Sequence, residues 1–359
     1  MDNLKEIAGR FALKGELLSV DRLGDGLIND TFVVRTAPAE APDYVLQRVN
    51  NAIFRDVDLL QDNLLKITTH IRRRLEAAGA SDIDRRTLTV VPATDGKLYY
   101  FDGTDYWRMT VLIPGSKSHN QATPEMAYRT GLAFGEFHGY FSGDDVPELR
   151  ESIPDFHNIP FRIAQLREAA AADPVGRLAK VKPIVDELLA RADEMSAAET
   201  LNKAGLLPKR ISHCDTKVNN ILFDENDNLL CVIDLDTTMP GYVLSDFGDF
   251  IRTAGNTGAE DDTDLSRVGV NMDVFRAFAK GYIESAKFLT PKERELLPFG
   301  AAMLTYMQTV RFLTDYINGD TYYKITHPEH NYERTLAQRK LLQSIDEHMD
   351  EMNAYIASL

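Results

Sequence analysis

The sequence predicts an α+β fold in two lobes, a small β-rich N-terminal lobe at residues 1–112 and a large, mainly helical C-terminal lobe at residues 113–359. Three observations predict it. Short strand-like segments dominate the first part of the chain, helical spacing dominates the remainder, and Ile113-Pro114-Gly115 interrupts the pattern between them. At 359 residues the chain is long enough for each lobe to bury its own core.

The N-terminal lobe is expected to hold six strands and one helix. Two strands flank the turn Gly24-Asp25-Gly26. The helix is predicted over Asp56–Ala78 from leucines and isoleucines three and four residues apart, with Asp56 or Asp58 as its N-terminal residue and Gly79 as the stop after it. The predicted strands are 17–23, 31–35, 44–49, 88–91, 97–101 and 107–112.

The C-terminal lobe is expected to be helical, apart from one β-rich interruption at residues 211–235. Its predicted helices are 124–140, 161–172, 183–195, 272–285, 291–317 and 332–356.

Composition narrows the class of protein. Hydrophobic residues make up 44% and charged residues 26%, as in ordinary globular chains. The formal net charge of −15 argues against nucleic acid or an anionic membrane as a partner, because both are polyanions. An anionic ligand in a locally basic pocket remains compatible with this charge.

Cysteine usage and hydropathy favour a cytoplasmic location. Cys214 and Cys231 are too few for a disulfide framework and do not form a C-x-x-C pair. The N-terminus lacks the basic and apolar regions of a signal peptide, and no apolar run approaches the roughly 18 residues of a membrane span.

The most informative stretch runs from His213 to Asn220, continues through a short predicted hairpin, and ends at Asp234. It matches the pattern H-x-D-x-x-x-x-N, in which the aspartate orients an attacking hydroxyl and the asparagine, with a later aspartate, binds Mg²⁺. The pattern predicts Asp215 as the base and Asn220 and Asp234 as the metal ligands. Lys217 is placed where a cation would stabilise charge on a transferring phosphoryl group.

This stretch resembles the catalytic loop and metal-binding hairpin of the aminoglycoside phosphotransferase and choline kinase superfamily. More narrowly, the segments GDGLINDTF, YVLQRVNNAIF, HCDTKVNN, IDLDTTMPG, DFGDFIR and RFLTDYINGDTYY are together similar to N-acetylhexosamine 1-kinases. The resemblance implies a bilobal protein-kinase-like fold, ATP and Mg²⁺ as cofactors, and phosphate transfer to the anomeric hydroxyl of an N-acetylated sugar.

Asp246-Phe247-Gly248 spells a metal-binding triplet of protein kinases but lies 12 residues past Asp234. Because Asp234 ends an apolar strand, we expect it to be the ligand. Asp246 and Asp249 are expected to cap the following helix and to brace the catalytic loop.

Nucleotide binding is predicted for three N-terminal segments. The turn Gly24-Asp25-Gly26 with Asn29 is expected to cover the phosphates. Gln47 stands where the resemblance expects a lysine, so the usual phosphate-anchoring ion pair is in doubt, and Arg48 points to the other face of an unbulged strand. Backbone groups of Val111 and Ile113 are expected to hydrogen-bond adenine, with a simple linker as the alternative.

Substrate contacts are predicted for Arg311 and Tyr322, with an Arg311–Asp315 ion pair as the structural alternative. Asp236 is expected either to contact the metal or the sugar, or to be a solvated or capping residue. Rival functions are a same-fold kinase for a hexose, choline, ethanolamine or an aminoglycoside, a protein kinase, and a nucleotide-binding pseudokinase. The oligomeric state is not predicted.

Overall fold

The computed structural model describes residues 2–23 and 29–359 and divides into two compact units. The first unit comprises Met1–Ser118, Gly143–Pro154 and Ile221–Met239, and the second comprises His119–Ser142, Asp155–Asn220 and Pro240–Leu359. The first carries an antiparallel sheet and the second is mainly helical, which confirms the predicted α+β class. The lobe boundary at residues 112 and 113 stays a prediction.

The elements of the described residues, in chain order, are as follows. The helices are α1 (Asp2–Ala8), α2 (Val57–Ala77), α3 (Ile83–Arg86), α4 (Pro124–Tyr140), α5 (Ile159–Ala172), α6 (Leu178–Ala190), α7 (Ala192–Met195), α8 (Ala197–Lys203), α9 (Val243–Thr253), α10 (Met272–Ser285), α11 (Pro291–Glu295), α12 (Leu297–Ile317), α13 (His330–Glu347) and α14 (Met349–Ser358). The strands are β1 (Glu16–Arg22), β2 (Asp30–Ala37), β3 (Tyr44–Val49), β4 (Val90–Val91), β5 (Tyr100–Phe101), β6 (Tyr106–Val111), β7 (Arg210–Ser212), β8 (Ile221–Phe223), β9 (Leu229–Val232) and β10 (Met239–Gly241).

The main sheet of the first unit has the strand order β1-β2-β3-β6-β4, with β5 paired to β6. Val34, Leu46 and Met109 are fully buried in its core, as expected for strands with one face against an apolar layer. All six predicted strands form, although β4 and β5 are only two residues long. Helix α1 was not predicted, because a seven-residue segment is too short to show a clear period.

A second, two-stranded sheet carries the predicted hairpin. Ile221 pairs with Val232 and Leu222 with Cys231, so the chain reaches and leaves the hairpin at the same end. Asp224 closes the turn by accepting hydrogen bonds from the backbone N–H groups of Asn226 and Asn228, both at 2.8 Å.

Helix α2 confirms the periodicity argument. Asp56 is its N-cap and accepts a hydrogen bond from the Leu59 N–H at 2.9 Å. Leu60, Leu64, Ile67, Ile71 and Leu75 form the buried face of the helix.

The second unit is built on helices that approach one another closely. α4 packs against α10 where both helices carry glycine, and a Cβ atom on Gly131 would lie 2.3 Å from the Phe278 carbonyl oxygen. α12 is buried along most of its length. None of the helices among residues 2–23 and 29–359 is long and apolar enough to cross a membrane.

Three predicted helices needed correction. Residues 291–317 form two helices, because Pro298, the second residue of α12, has no N–H with which to continue the hydrogen bonding of α11. Residues 332–356 likewise divide at His348. The helix expected to begin at Pro183 begins at Leu178 and tolerates the proline in its interior. The short helix α8 was not predicted.

Candidate active site

The loop that follows β7 is held in place by one buried aspartate. Asp246 accepts hydrogen bonds from the backbone N–H groups of His213 and Cys214, at 2.6 and 2.8 Å. The Thr216 hydroxyl donates to the Asp246 carbonyl at 2.6 Å. Cys214 has a φ of 63°, a left-handed conformation that needs such external support in a non-glycine residue.

The same carboxylate is anchored on its other side. His138 Nε2 lies 2.8 Å from Asp246, and the Tyr282 hydroxyl lies 2.8 Å from His138 Nδ1. Burial, the largest single influence, acts to raise the pKa of Asp246, but the hydrogen bond and charge of His138, together with His213, outweigh it, so that pKa lies below its usual value.

A second aspartate supports the loop one turn further along α9. Asp249 accepts from the Thr216 N–H at 3.1 Å and from Arg252 Nη2 at 2.9 Å. The predicted bracing role of Asp246 and Asp249 is therefore confirmed. Their predicted capping role is wrong, because α9 begins at Val243 and both residues lie inside it.

The braced loop brings together three of the predicted functional residues. Lys217 Nζ lies 2.6 Å from Asp215 Oδ1. Asn220 Nδ2 donates to the Asp215 carbonyl at 2.8 Å and to its Oδ2 at 3.2 Å. The amide oxygen of Asn220, the atom that a metal would take, has no part in these bonds.

Lys217 is a cation under two opposing influences. Burial acts to lower its pKa, and the adjacent Asp215 carboxylate more than offsets this, so the pKa of Lys217 is raised. The side chain is therefore charged at neutral pH beside the candidate base.

Asp234 follows β9 in the first unit, at the start of a 3-10 turn formed by Leu235–Thr237. Its backbone is left-handed, with φ 58° and ψ 55°, and the residue is exposed. The side chain does not cap the turn. An exposed carboxylate at a strand end is compatible with the predicted metal-ligand role.

Asp236, inside the same turn, is buried. Both of its carboxylate oxygens bond Arg108, and Oδ2 also accepts from Asn29 Nδ2 at 2.8 Å. The alternative that Asp236 is a solvated residue is therefore wrong, while its predicted contact with a ligand stays a prediction.

Arg108 was not among the predicted site residues. It lies on β6 directly opposite Gln47 on β3, and its Nε donates to Gln47 Oε1 at 3.0 Å. Burial, the largest single influence, acts to lower the pKa of Arg108, but the Asp236 carboxylate, with a smaller contribution from Asp234, reverses the effect and the pKa is raised. Arg108 could have been found from the sequence, because it is the charged residue within the otherwise mainly apolar strand segment 107–112 and a buried arginine requires a partner.

The predicted nucleotide-binding residues are partly described. Gly24, Asp25 and Gly26 lie outside the described residues. Gln47 donates to Thr31 Oγ1 at 3.2 Å besides accepting from Arg108, and Arg48 pairs with Asp30 and Asp105 instead.

Val111 and Ile113 flank the end of β6. The Val111 N–H donates to the Thr89 carbonyl at 2.9 Å, and the Ile113 carbonyl accepts from Ser116 Oγ at 2.7 Å. Ile113 is the centre of a small apolar cluster with Leu230 and Cys231, against which Leu222 and Ile233 pack half-buried. Hydrogen bonds from this segment to adenine stay a prediction.

Arg311 and Tyr322 lie together in the second unit. The Arg311 guanidinium is 5.2 Å from the Phe156 ring centroid and 5.7 Å from that of Tyr322, and Nη2 lies 3.5 Å from the Tyr322 hydroxyl. The alternative Arg311–Asp315 ion pair does not form. Asp315 instead accepts the N–H groups of Thr321, Tyr322 and Tyr323, at 2.8 to 3.0 Å.

Among the described residues no group of three or more His, Cys, Asp or Glu side chains is arranged to hold a metal ion. This is compatible with Mg²⁺, which usually takes only one or two protein carboxylates and completes its shell with phosphate and water oxygens.

Solved structures share this fold. An aminoglycoside phosphotransferase from Alicyclobacillus acidocaldarius superposes with a TM-score of 0.62 at 14% identity, over 99% of this chain and 96% of its own. A choline/ethanolamine kinase family protein from Mesorhizobium loti gives 0.56 at 16% identity, over 100% of both chains. The amicoumacin kinase hAmiN, solved with AMP-PNP and Ca²⁺, gives 0.57 at 14% identity, over 98% of this chain and 93% of its own.

The sequence itself gives a more specific match. Residues 19–282 fit the family model described as APH, phosphotransferase enzyme family. Because this segment is well over half of the chain and contains the braced loop and the hairpin, the protein belongs to the APH family of phosphotransferase enzymes.

Proposed function

We propose that the protein is an ATP- and Mg²⁺-dependent small-molecule kinase that phosphorylates the anomeric hydroxyl of an N-acetylhexosamine. The observation that carries the proposal is the contact of Asp215 with Lys217 and Asn220 on a loop fixed by Asp246. A base, a cation and an amide at one place are the groups that phosphoryl transfer uses.

Asp215 is the base of this proposal. Its carboxylate accepts a hydrogen bond from the sugar hydroxyl, orients it, and takes its proton as the oxygen attacks the γ-phosphorus. The bond from the γ-phosphorus to the bridging oxygen of ATP breaks, and ADP leaves. Lys217, held 2.6 Å from Asp215, stabilises the negative charge that develops on the transferred phosphoryl group.

The described residues fit a divalent cation. Asn220 offers an amide oxygen and Asp234 an exposed carboxylate, both of which are oxygen ligands of the kind Mg²⁺ prefers. When bound, Mg²⁺ neutralises charge on the nucleotide phosphates. In the first unit, the half-buried faces of Leu222 and Ile233 beside Ile113 suit the flat apolar surface of adenine.

The charge around Arg311 favours a neutral sugar over a cationic substrate. Within the part of the chain that the structure describes, neither Arg311 nor its neighbour Arg162 forms an ion pair, and the proximity of Arg311 helps burial to lower the pKa of Arg162 to about 10. Two unpaired guanidinium groups repel choline or an aminoglycoside. They donate readily to hydroxyl and acetamido oxygens, and the Tyr322 ring offers a face on which a sugar can stack.

The first test is a screen of ATP consumption with Mg²⁺ against N-acetylglucosamine, N-acetylgalactosamine, glucose, choline, ethanolamine and kanamycin. We expect turnover with the N-acetylhexosamines and little with the amines. Preference for glucose or an amine would replace the proposed substrate, and nucleotide binding with no turnover on any acceptor would indicate a pseudokinase.

The second test is Asp215→Asn, which should lower turnover about 10²- to 10⁴-fold, because the variant cannot take the proton. The Kd for ADP, measured by calorimetry, should change little. Asp186→Asn on the exposed face of α6 is the matched control and should behave as wild type. Undiminished turnover of Asp215→Asn would remove Asp215 from the mechanism.

A cytoplasmic location is also part of the proposal. The two buried cysteines, Cys214 and Cys231, are thiols and not a disulfide, which supports it, because thiols persist in a reducing compartment.

A further inference from the structure

Arg108 and Asp236 form a buried ion pair that has no role in the phosphoryl-transfer steps proposed above. Their side chains are 4% and 3% exposed. A buried pair carries a desolvation cost that often offsets its attraction, so its presence is weak evidence of a purely stabilising role.

The pair fastens the turn that begins after Asp234. Asp236 is the second residue of this 3-10 turn, and its carboxylate bonds two guanidinium nitrogens of Arg108 and the amide of Asn29. The Ser152 hydroxyl donates to the Asp236 backbone carbonyl at 2.6 Å. Side chain and backbone of Asp236 are thus both fixed, from separate parts of the first unit.

Arg108 is itself fixed in the sheet. β6 lies between β3 and β4, and Arg108 bonds Gln47 across the β3–β6 pairing at 3.0 Å. Asn29 is also held from both sides, because its Oδ1 accepts the Asn50 N–H at 3.0 Å. The turn is therefore joined to the paired strands β3 and β6 of the main sheet.

Asp234 needs such support. Its left-handed backbone is unfavourable for a non-glycine residue and persists only where neighbours determine it. The bonds on Asp236 fix the turn that begins after Asp234, and the Asp234 carboxylate lies near enough to Arg108 to help raise the pKa of that guanidinium.

We propose that Arg108 and Asp236 are positioning residues for Asp234, which set metal-dependent nucleotide affinity without touching metal or nucleotide. The inference rests on the proposed function, since it takes Asp234 as a metal ligand. The proposal also gives a role to Arg108, the cation that lies opposite Gln47. Gln47 itself occupies the position where a phosphate-binding lysine was expected. Arg108 orients a ligand of the metal instead of binding the phosphate.

The test measures the Kd for ADP by calorimetry, with saturating Mg²⁺ and with EDTA. The Kd in EDTA divided by the Kd with Mg²⁺ is the metal-dependent gain in ADP affinity, called the gain below. Arg108→Gln and Asp236→Asn should each reduce this gain about tenfold or more, as is typical when a residue that orients a metal ligand is lost. The Kd in EDTA should stay near the wild-type value.

A double-mutant comparison separates positioning from direct contact. Asp234→Ala should remove the gain, and adding Arg108→Gln to it should cause no further loss. A loss of affinity in EDTA, or a further loss in the Asp234→Ala background, would show that Arg108 binds the nucleotide itself and would overturn the proposal.

Controls separate positioning from general damage to the fold. Arg48 follows Gln47 on β3 and forms an exposed ion pair with Asp30. Arg48→Gln removes this pair and should leave the metal-dependent gain in affinity unchanged. If Arg108→Gln does not fold, Arg108→Lys and Ser152→Ala replace it, and each should reduce the gain by a smaller factor. Lower thermal stability with an unchanged gain would make the pair merely structural.

The outcome for the wild-type protein distinguishes the two proposals. If the wild type shows no metal-dependent gain, the proposed function fails and this inference fails with it. If the wild type shows the gain and Arg108→Gln retains it, only this inference fails.

Discussion

At the scale of single residues, Asp246 shows how one carboxylate can fix the conformation of a loop that it does not belong to, the loop that follows β7. It receives two backbone N–H groups of the loop and one histidine nitrogen, and all of these groups are buried. Removing the carboxylate would leave several donors unpaired at once, which costs more than the loss of one average hydrogen bond.

We therefore predict that Asp246→Ala lowers the free energy of unfolding by about 3 kcal/mol or more. Urea and thermal unfolding measure it. Asp186→Ala, which loses only an exposed pair with Lys182, should change stability by less than about 0.5 kcal/mol. Unchanged stability together with lost Mg²⁺-dependent nucleotide binding would instead identify Asp246 as a metal ligand.

The motif predicted Asp215, Lys217 and Asn220 as neighbours because its spacing is short and local, and the structure brings the three together. Arg108 and Asp236 are separated by 128 positions in the chain. No local pattern connects two such residues, and only the pairing of β3 with β6 and the turn after β9 bring them together.

At the scale of elements, the contact between α4 and α10 depends on the absence of side chains. Cβ atoms on Gly131 and Gly281 would lie 2.3 and 2.1 Å from backbone oxygens of the facing helix. The two helices therefore meet backbone to backbone, and His138 on α4 is brought within reach of Tyr282 on α10.

Gly131→Ala should accordingly destabilise the protein by about 1–3 kcal/mol, because the backbone oxygen of Phe278 cannot move aside cheaply. Gly139→Ala in the same helix is the matched control. A Cβ there meets no atom within 4 Å, so the higher helix propensity of alanine should make that variant neutral or slightly more stable. Equal melting temperatures for the two variants would contradict the close-packing argument.

Periodicity predicted long amphipathic elements such as α2 and α4 to within one residue at each end. It did not locate the break between α11 and α12, because the apolar pattern continues through both helices. The interruption comes from the backbone of Pro298, which has no N–H to donate.

At the scale of the whole molecule, the pH dependence of stability should carry the signature of His157. Burial, the largest influence, lowers the pKa of this imidazole to about 3, and its Nδ1 has no hydrogen-bond partner within residues 2–23 and 29–359. In the unfolded chain its pKa is near 6.5. Between these two values the unfolded state binds a proton that the folded state does not.

Stability should therefore fall as the pH is lowered from 7 to 5, by up to about 1.4 kcal/mol per unit once the pH is well below 6.5. Urea unfolding at pH 7, 6 and 5 measures the slope above the range where carboxylates titrate. His157→Gln should flatten it, whereas His119→Gln, at a half-buried histidine elsewhere, should not. An unchanged slope in His157→Gln would show that other groups cause the dependence.

The first unit is assembled from three separate stretches, the last of which ends at Met239. When only the first stretch, Met1–Ser118, has emerged from the ribosome, Arg108 is present but its partner Asp236 has not yet been synthesised. At common elongation speeds, the missing partner emerges on the order of ten seconds later. A chaperone that binds the chain during synthesis therefore encounters an Arg108 guanidinium without its Asp236 counter-charge. An isolated fragment ending at Ser118 would lack this ion pair permanently.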